Sequence, residues 1–298
     1  AVAGGVTAVF EMPNTDPPTT TRDALADKLA RASGRAFCDY AFFVGATPDN
    51  AETLAALERE PGTPGVKVFM GKSTGNLLVD SDDDLRRVLA SGRRRVAVHA
   101  EDEMRLRERA ASLDLDAGGV ALHPEWRDVE TALRATRRLL AIAREVRRPV
   151  HVLHVTTAEE VGLLASHRDI ATFECTPQHL LLAAPECYAR LGTLVQMNPP
   201  IREARHRDAL WGAVTSGALD AIASDHAPHT RDGLHLLAHE LTHTVQQRAG
   251  GAAAAASSEI DPPGAPLERA ADTMADAVLA GRAASVAPAA ASSVASGT

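Results

Sequence analysis

Positive charge is in deficit in this sequence, and cysteines and long apolar runs are few. The 31 Lys+Arg residues face 39 Asp+Glu, a formal charge of −8, whereas a protein that follows a phosphate backbone needs a basic stripe. Nucleic acid is therefore not an expected partner. No stretch of about 18 or more continuous apolar residues occurs, so no membrane span is expected. The three cysteines, Cys38, Cys175 and Cys187, lie far apart. They offer neither a disulfide framework nor a CxxC metal pair, which makes a reducing cytoplasm the expected location. Neither GxGxxG nor GxxxxGKS/T is present, so the phosphate loop that open nucleotide-binding sheets carry after their first strand is missing. There is no initiator methionine and no leader with a charged and then an apolar region. Ala1-Val2-Ala3-Gly4-Gly5 reads as a helix end running into a strand, as expected of a fragment or an incomplete gene product.

What is present is a globular composition, 45% hydrophobic and 23% charged, with 12 histidines. A chain of 298 residues suits two average domains or one large α/β barrel. Strands are expected at residues 6–12, 37–45, 65–70, 95–99, 150–155, 170–175 and 219–224, with helices between them at 21–33, 50–60, 81–91, 128–145 and 159–166. Continuous β-branched strands, each followed by a helix, imply a parallel sheet covered on its outer face. Seven such units imply an incomplete TIM-type (β/α) barrel, about seven strands of eight. Its two unpaired edges predict aggregation or a homo-oligomer. Composition shifts near Thr230. One helical pattern spans 231–248, periodicity returns only at 266–280, and 281–298 is a low-complexity tail expected to be disordered. The expected division is thus 1–230, 231–280 and 281–298.

Chemistry in such a barrel sits at the C-terminal strand ends. Read in order, those ends offer Asn14, Lys67, His99, His154, Glu174 and Asp225. Oxygen and imidazole donors without thiolates suit a catalytic zinc with an open position. A single histidine at a strand end is more often a hydrogen-bonded structural group, and that reading is kept for His151, which alternation places on the face opposite His154. A lysine in an apolar strand ordinarily reaches out to solvent. Lys67 resists that reading because the chain has only two other lysines, Lys28 and Lys72, and uses arginine for its surface charge.

These ends lie in seven ordered motifs: Met12-Pro13-Asn14-Thr15, Lys67-Val68-Phe69-Met70-Gly71, Val98-His99-Ala100-Glu101, His151-Val152-Leu153-His154-Val155, Pro177-Gln178-His179-Leu180, Asn198-Pro199-Pro200-Ile201-Arg202 and Ser224-Asp225-His226-Ala227-Pro228-His229-Thr230. Together they resemble dihydroorotase of the cyclic amidohydrolase superfamily over residues 1–230. The resemblance implies a zinc hydrolase interconverting dihydroorotate and N-carbamoyl-aspartate in pyrimidine synthesis. It implies a carboxylated Lys67 bridging two zinc ions, with His99 and His154 on one of them. Asp225 would be both metal ligand and general acid/base, Asn14, Asn198 and His229 would contact substrate, and His179 would be a further pocket candidate. The family also carries an HxH pair at the end of its first barrel strand. No HxH occurs in these 298 residues, so impaired activity is expected.

A second constellation follows. Leu237-Ala238-His239-Glu240-Leu241-Thr242-His243-Thr244-Val245-Gln246-Gln247 places two histidines at i and i+4 on one helical face, where they can grip one zinc while Glu240 activates its water. HExxH alone is short enough to arise by chance. With its flanks it resembles the eCIS core domain family over residues 233–280, metallopeptidase-like modules of bacterial injection systems and toxins. That resemblance implies a third ligand from a later helix. Glu268 in Glu268-Arg269-Ala270-Ala271-Asp272 fits the form, with Asp272 as its partner; the other reading of Glu268 is an exposed helix carboxylate. Three functions stay open: an amidohydrolase joined to part of another gene, a metallopeptidase-like protein carrying a barrel fragment, and an inactive zinc-binding chimera.

Overall fold

The computed structural model describes residues 2–72 and 77–227. Eight short strands follow in chain order: β1 (Ala8–Glu11), β2 (Asp39–Phe42), β3 (Val44–Gly45), β4 (Val66–Phe69), β5 (Val96–His99), β6 (Val150–Val152), β7 (Ala171–Cys175) and β8 (Ala221–Ile222). Every pairing is parallel and between neighbours in sequence, β1 with β2 and then β3 through β8 as one sheet. All seven expected strand regions are present. The region 37–45 is divided at Phe43, whose amide donates to the Glu11 carbonyl at 2.9 Å.

The helices are α1 (Arg22–Ala32), α2 (Leu54–Leu57), α3 (Asp82–Ala90), α4 (Glu103–Ser112), α5 (Leu115–Gly118), α6 (His123–Trp126), α7 (Val129–Val146), α8 (Ala158–Ala165), α9 (Pro177–Leu181), α10 (Glu186–Leu191) and α11 (Ala204–Ser216). Their starts are written in the sequence. Thr21, Ser81, Asp102, Asp128 and Thr157 each accept a backbone N–H three residues on, capping α1, α3, α4, α7 and α8. At α8 the N-cap Thr157 is followed three residues later by Glu160, whose carboxylate takes the Thr157 and Thr136 hydroxyls at 2.9 Å each. Of the described residues, those within 2–115, 121–186 and 197–225 form one compact unit, which carries all the strands given above; those within 116–120, 187–196 and 226–227 belong to a second.

The register divides the sheet into two chemically distinct faces. Val66, Val68, Val96, Val98, Val150, Val152, Ala171, Phe173 and Cys175 turn outward and are buried with Leu85, Leu89, Ala135, Leu139, Leu164 and Leu210 from the helices. This is the hydrophobic core. The alternate residues share the other face, because Lys67 pairs with Ala97, Phe69 with His99, and Ala97 with His151, which pairs with Thr172. Polar groups therefore line the inside of the curved sheet while valines seal its outside. Both outer strands are open to solvent: β1 is exposed throughout, Phe10 at 60%, and in β8 Ile222 is exposed at 52%. No helix among the described residues is long and apolar enough to cross a membrane.

Candidate functional site

Lys67 projects from the middle of β4 onto the inner face and is 2% exposed. Its ammonium lies 4.3 Å from the centre of the Phe69 ring, a cation–π contact. Burial lowers its pKa from 10.5 to about 7, opposed by the negative charges of Asp225 and Glu174. A lysine with a pKa of about 7 is about half neutral at pH 7, and that neutral half is a nucleophilic amine.

One strand further, His99 closes β5. Its Nδ1 is 3.1 Å from Nε2 of His154, and the two rings meet edge to face with centres 4.9 Å apart. Both histidines are buried, and burial lowers both pKa values, so both rings are neutral. His154 lies two residues past the end of β6 with φ of 38°, a left-handed conformation that costs a non-glycine residue and collects at functional sites. That twist brings its ring to His99. His154 Nδ1 is buried without a hydrogen-bond partner.

Alternation predicts that His151 and His154 face apart, and here the structure corrects the sequence. Alternation stops where β6 stops, so His151 shares the inner face with Lys67 and Ala97. It contacts Thr172 Oγ1 at 2.8 Å and Glu174 Oε2 at 3.0 Å. Asp225 follows β8, also with positive φ, 47°. Partial desolvation raises its carboxyl pKa, with Glu174 adding to the effect while Lys67 and His99 oppose it.

Two buried residues that sequence reasoning missed stand behind the histidines. Glu101 Oε2 is 2.9 Å from His99 Nε2, with the N–H off the ideal hydrogen-bond line. Arg127, also buried, donates Nε to both Glu101 oxygens at 3.1 Å and Nη2 to Oε2 at 2.7 Å. Burial alone would raise the Glu101 pKa; Arg127 and His99 outweigh it and hold the carboxyl well below the usual range. The motif Val98-His99-Ala100-Glu101 contained the signal for Glu101, an acid two residues beyond a strand-end histidine. Nothing local pointed to Arg127.

Asn14 sits in the loop after β1 and Asn198 in the segment before α11, both half-buried, and Asn198 Oδ1 is buried without a hydrogen-bond partner. His179 is buried, with its ring nitrogens on Thr176 Oγ1 at 2.7 Å and the Pro199 carbonyl at 3.1 Å. His229, His239, Glu240, His243 and Glu268 lie outside the described residues.

Among the described residues no three His, Cys, Asp or Glu side chains converge tightly enough to form a metal site by themselves. The donor set nevertheless fits zinc once Lys67 is counted. Two nitrogens bound to one tetrahedral zinc at about 2.0–2.1 Å stand about 3.3 Å apart, close to the 3.1 Å between His99 Nδ1 and His154 Nε2. A carboxylated Lys67 would add the anionic oxygen ligand that a free amine lacks.

A parallel strand–helix array that brings a buried lysine and paired histidines to its strand ends is an α/β fold of the (β/α)-barrel class. Comparison with known proteins gives the particular family. The chain is 36% identical over 234 residues to the dihydroorotase of Halobacterium salinarum, covering 78% of this chain and 53% of that protein. To the allantoinase of Solibacter usitatus it is 35% identical over 243 residues, 76% of this chain and 51% of that protein. Among solved structures, L-hydantoinase (dihydropyrimidinase) from Arthrobacter aurescens superposes with a TM-score of 0.69 at 28% identity, covering 76% and 51%. Dihydropyrimidinase from Brevibacillus agri does so at 0.69 and 27%, covering 78% and 53%. The chain belongs to the cyclic amidohydrolase superfamily, and it spans about half the length of the curated relatives it matches. The eCIS core domain family matches residues 202–251. That match begins upstream of the expected 233–280, reaching back over α11 and β8, and ends before Glu268.

Proposed function

We propose that residues 1–230 supply the strand-end machinery of a zinc-dependent hydrolase of cyclic amides, opening dihydroorotate to N-carbamoyl-aspartate in pyrimidine synthesis. The pairing of His99 Nδ1 with His154 Nε2 beside a buried lysine carries this reading. Carboxylated Lys67, His99, His154 and Asp225 would hold the zinc, which when bound lowers the pKa of water and polarises the amide carbonyl.

The chain's own groups do the rest. The neutral form of the Lys67 amine adds to carbon dioxide, forming an N–C bond and releasing one proton, and so becomes an anionic ligand. Asp225, with its raised pKa, takes the proton of the attacking water at its carboxylate oxygen and returns it to the departing ring nitrogen as the C–N bond breaks. Asn198, Asn14 and His229 make the substrate contacts. The exposed edges of β1 and β8 favour a homo-oligomer, and sedimentation of the purified chain at two concentrations should show association. A cytoplasmic location accords with the free cysteines.

Ring opening of dihydroorotate, followed in the ultraviolet, is expected to be weak, since these 298 residues contain no HxH pair. Asp225→Asn should reduce it by about 10²–10⁴-fold. Bound zinc should be lost on Lys67→Ala and kept on His239→Ala. Zinc kept in the first variant and lost in the second would overturn this reading. It would favour instead a metallopeptidase-like role for residues 231–280, which the eCIS core domain match over His239, Glu240 and His243 supports; casein cleavage abolished by Glu240→Ala is the test of that role. Zinc binding with neither activity would leave an inactive chimera with its tail at 281–298.

A further inference from the structure

A neutral imidazole carries one proton, and which nitrogen holds it decides which nitrogen can bind a cation. In His99 the two nitrogens have different neighbours. Nδ1 faces His154 at 3.1 Å, and Nε2 faces the Glu101 carboxylate at 2.9 Å. An ionised carboxylate only accepts hydrogen bonds, so the Glu101 contact is favourable only when Nε2 bears the proton, which leaves the lone pair on Nδ1.

Glu101 cannot turn away to relax that demand. It is fully buried, and the Arg127 guanidinium grips both of its oxygens. Arg127 is itself fixed in three further ways. Its Nη2 donates to the Lys72 carbonyl at 2.9 Å, its side chain stacks against Trp126 with 5.1 Å from Cζ to the ring centre, and its own carbonyl accepts Nη1 of buried Arg202 at 2.9 Å. Arg202 Nε in turn donates to Thr156 Oγ1 at 2.8 Å. Lys72 stands five residues beyond Lys67, Glu101 two beyond His99, and Thr156 two beyond His154. One pair of buried guanidinium groups thus ties together the ends of β4, β5 and β6, the three strand ends that present Lys67, His99 and His154.

We infer that Glu101, clamped by Arg127, is a positioning residue that fixes His99 as the Nε2–H tautomer and so reserves Nδ1 for a divalent cation. The inference rests on the metal-site reading above and adds to it a stated tautomer and the residues that impose it. Glu101 stands 2.9 Å from His99 Nε2, whereas among the described residues no carboxylate lies within ion-pair distance of His154, so the imposed order is one-sided: His99 is preset and His154 adapts.

Two measurements on the full 298-residue chain test this. In the metal-free protein, long-range ¹H–¹⁵N NMR of labelled histidine should show His99 protonated on Nε2 and bare on Nδ1; the opposite tautomer overturns the inference without any variant being made. Zinc affinity, measured by competition with a chromophoric chelator, should then fall about 10–100-fold in Glu101→Gln, whose amide can donate to Nε2 and so favour the wrong tautomer. The visible bands of the cobalt-loaded protein should change in the same variant, and Glu101→Asp should restore part of the affinity. Arg148→Met, a break in a buried ion pair at the opposite ends of the strands, is the control that should lower stability and leave affinity intact. If the parent and Glu101→Gln bind zinc equally, the positioning role is wrong and the metal site stands. If the parent binds no zinc at these strand ends although His99 is the Nε2–H tautomer, the metal reading fails while the tautomer assignment survives.

Discussion

Replacing Lys67 by methionine is expected to make the metal-free protein more stable at neutral and acidic pH while removing zinc from the strand ends. Lys67 is 2% exposed, and its pKa falls from 10.5 to about 7 because burial penalises the ammonium form. Between those two values the unfolded chain holds a proton that the folded chain lacks, so stability rises with pH across that interval. Below about pH 7 both states are protonated and the full cost of the buried charge is in force. At roughly 1.4 kcal/mol per pH unit that cost is several kcal/mol, in a fold whose total stability is of the order of 5–15 kcal/mol. Methionine has a similar volume and no charge. Urea unfolding of the chelator-treated proteins should therefore show the variant ahead by about 2–5 kcal/mol at pH 6, with the gap closing towards pH 10.5. A variant less stable than the parent at pH 6 would show that Lys67 is not the strained group proposed here. Stability set aside for a buried cation is expected where the cation is to be converted into a ligand.

The other large effect lies at the opposite ends of the strands. Arg148, just before β6, donates Nη2 to Glu58 and Nη1 to the Ser91 carbonyl at 2.7 Å. Glu58 Oε1 also accepts the backbone amides of Arg93 at 2.6 Å and Arg94 at 3.2 Å, ahead of β5. Both side chains are 2% exposed. Gly92 makes room for this arrangement: its φ is 97°, and a Cβ there would lie 2.5 Å from Glu58 Oε2. Arg148→Met strands an ionised carboxylate in the interior, so a loss of about 3–5 kcal/mol is expected. The double variant Glu58→Met/Arg148→Met should recover part of it, because a buried pair replaced by apolar groups is often neutral or stabilising while the Arg93 and Arg94 amides lose their acceptor. Denaturation midpoints of the two single variants and the double one give the coupling energy directly. Additive losses would show that the pair does not act as a unit.

Much of this could be read in the chain. The β4, β5 and β6 regions appear as valine-rich runs, α3, α7 and α8 fall, to within a residue, in the expected 81–91, 128–145 and 159–166, and the scarcity of lysine marks Lys67. Residues 37–45 read as one strand and form two, because Phe43 is bonded across to Glu11. Alternation sets His151 and His154 on opposite faces, but it holds only while a strand continues, and β6 ends before His154. Arg127 escaped notice because its partner Glu101 lies 26 residues away, and no pattern of helical or strand spacing joins them.

Local preference and hydrophobic patterning belong to the sequence: where strands and helices fall, that they are parallel, and that polar side chains gather at one rim. Such signals come from neighbouring residues and survive without any fold. The 3.1 Å meeting of His99 with His154, the lowered pKa of Lys67 and the clamp of Arg127 on Glu101 were settled only by tertiary structure. Each depends on desolvation or on contact between distant segments, and neither exists until the strands have packed side by side.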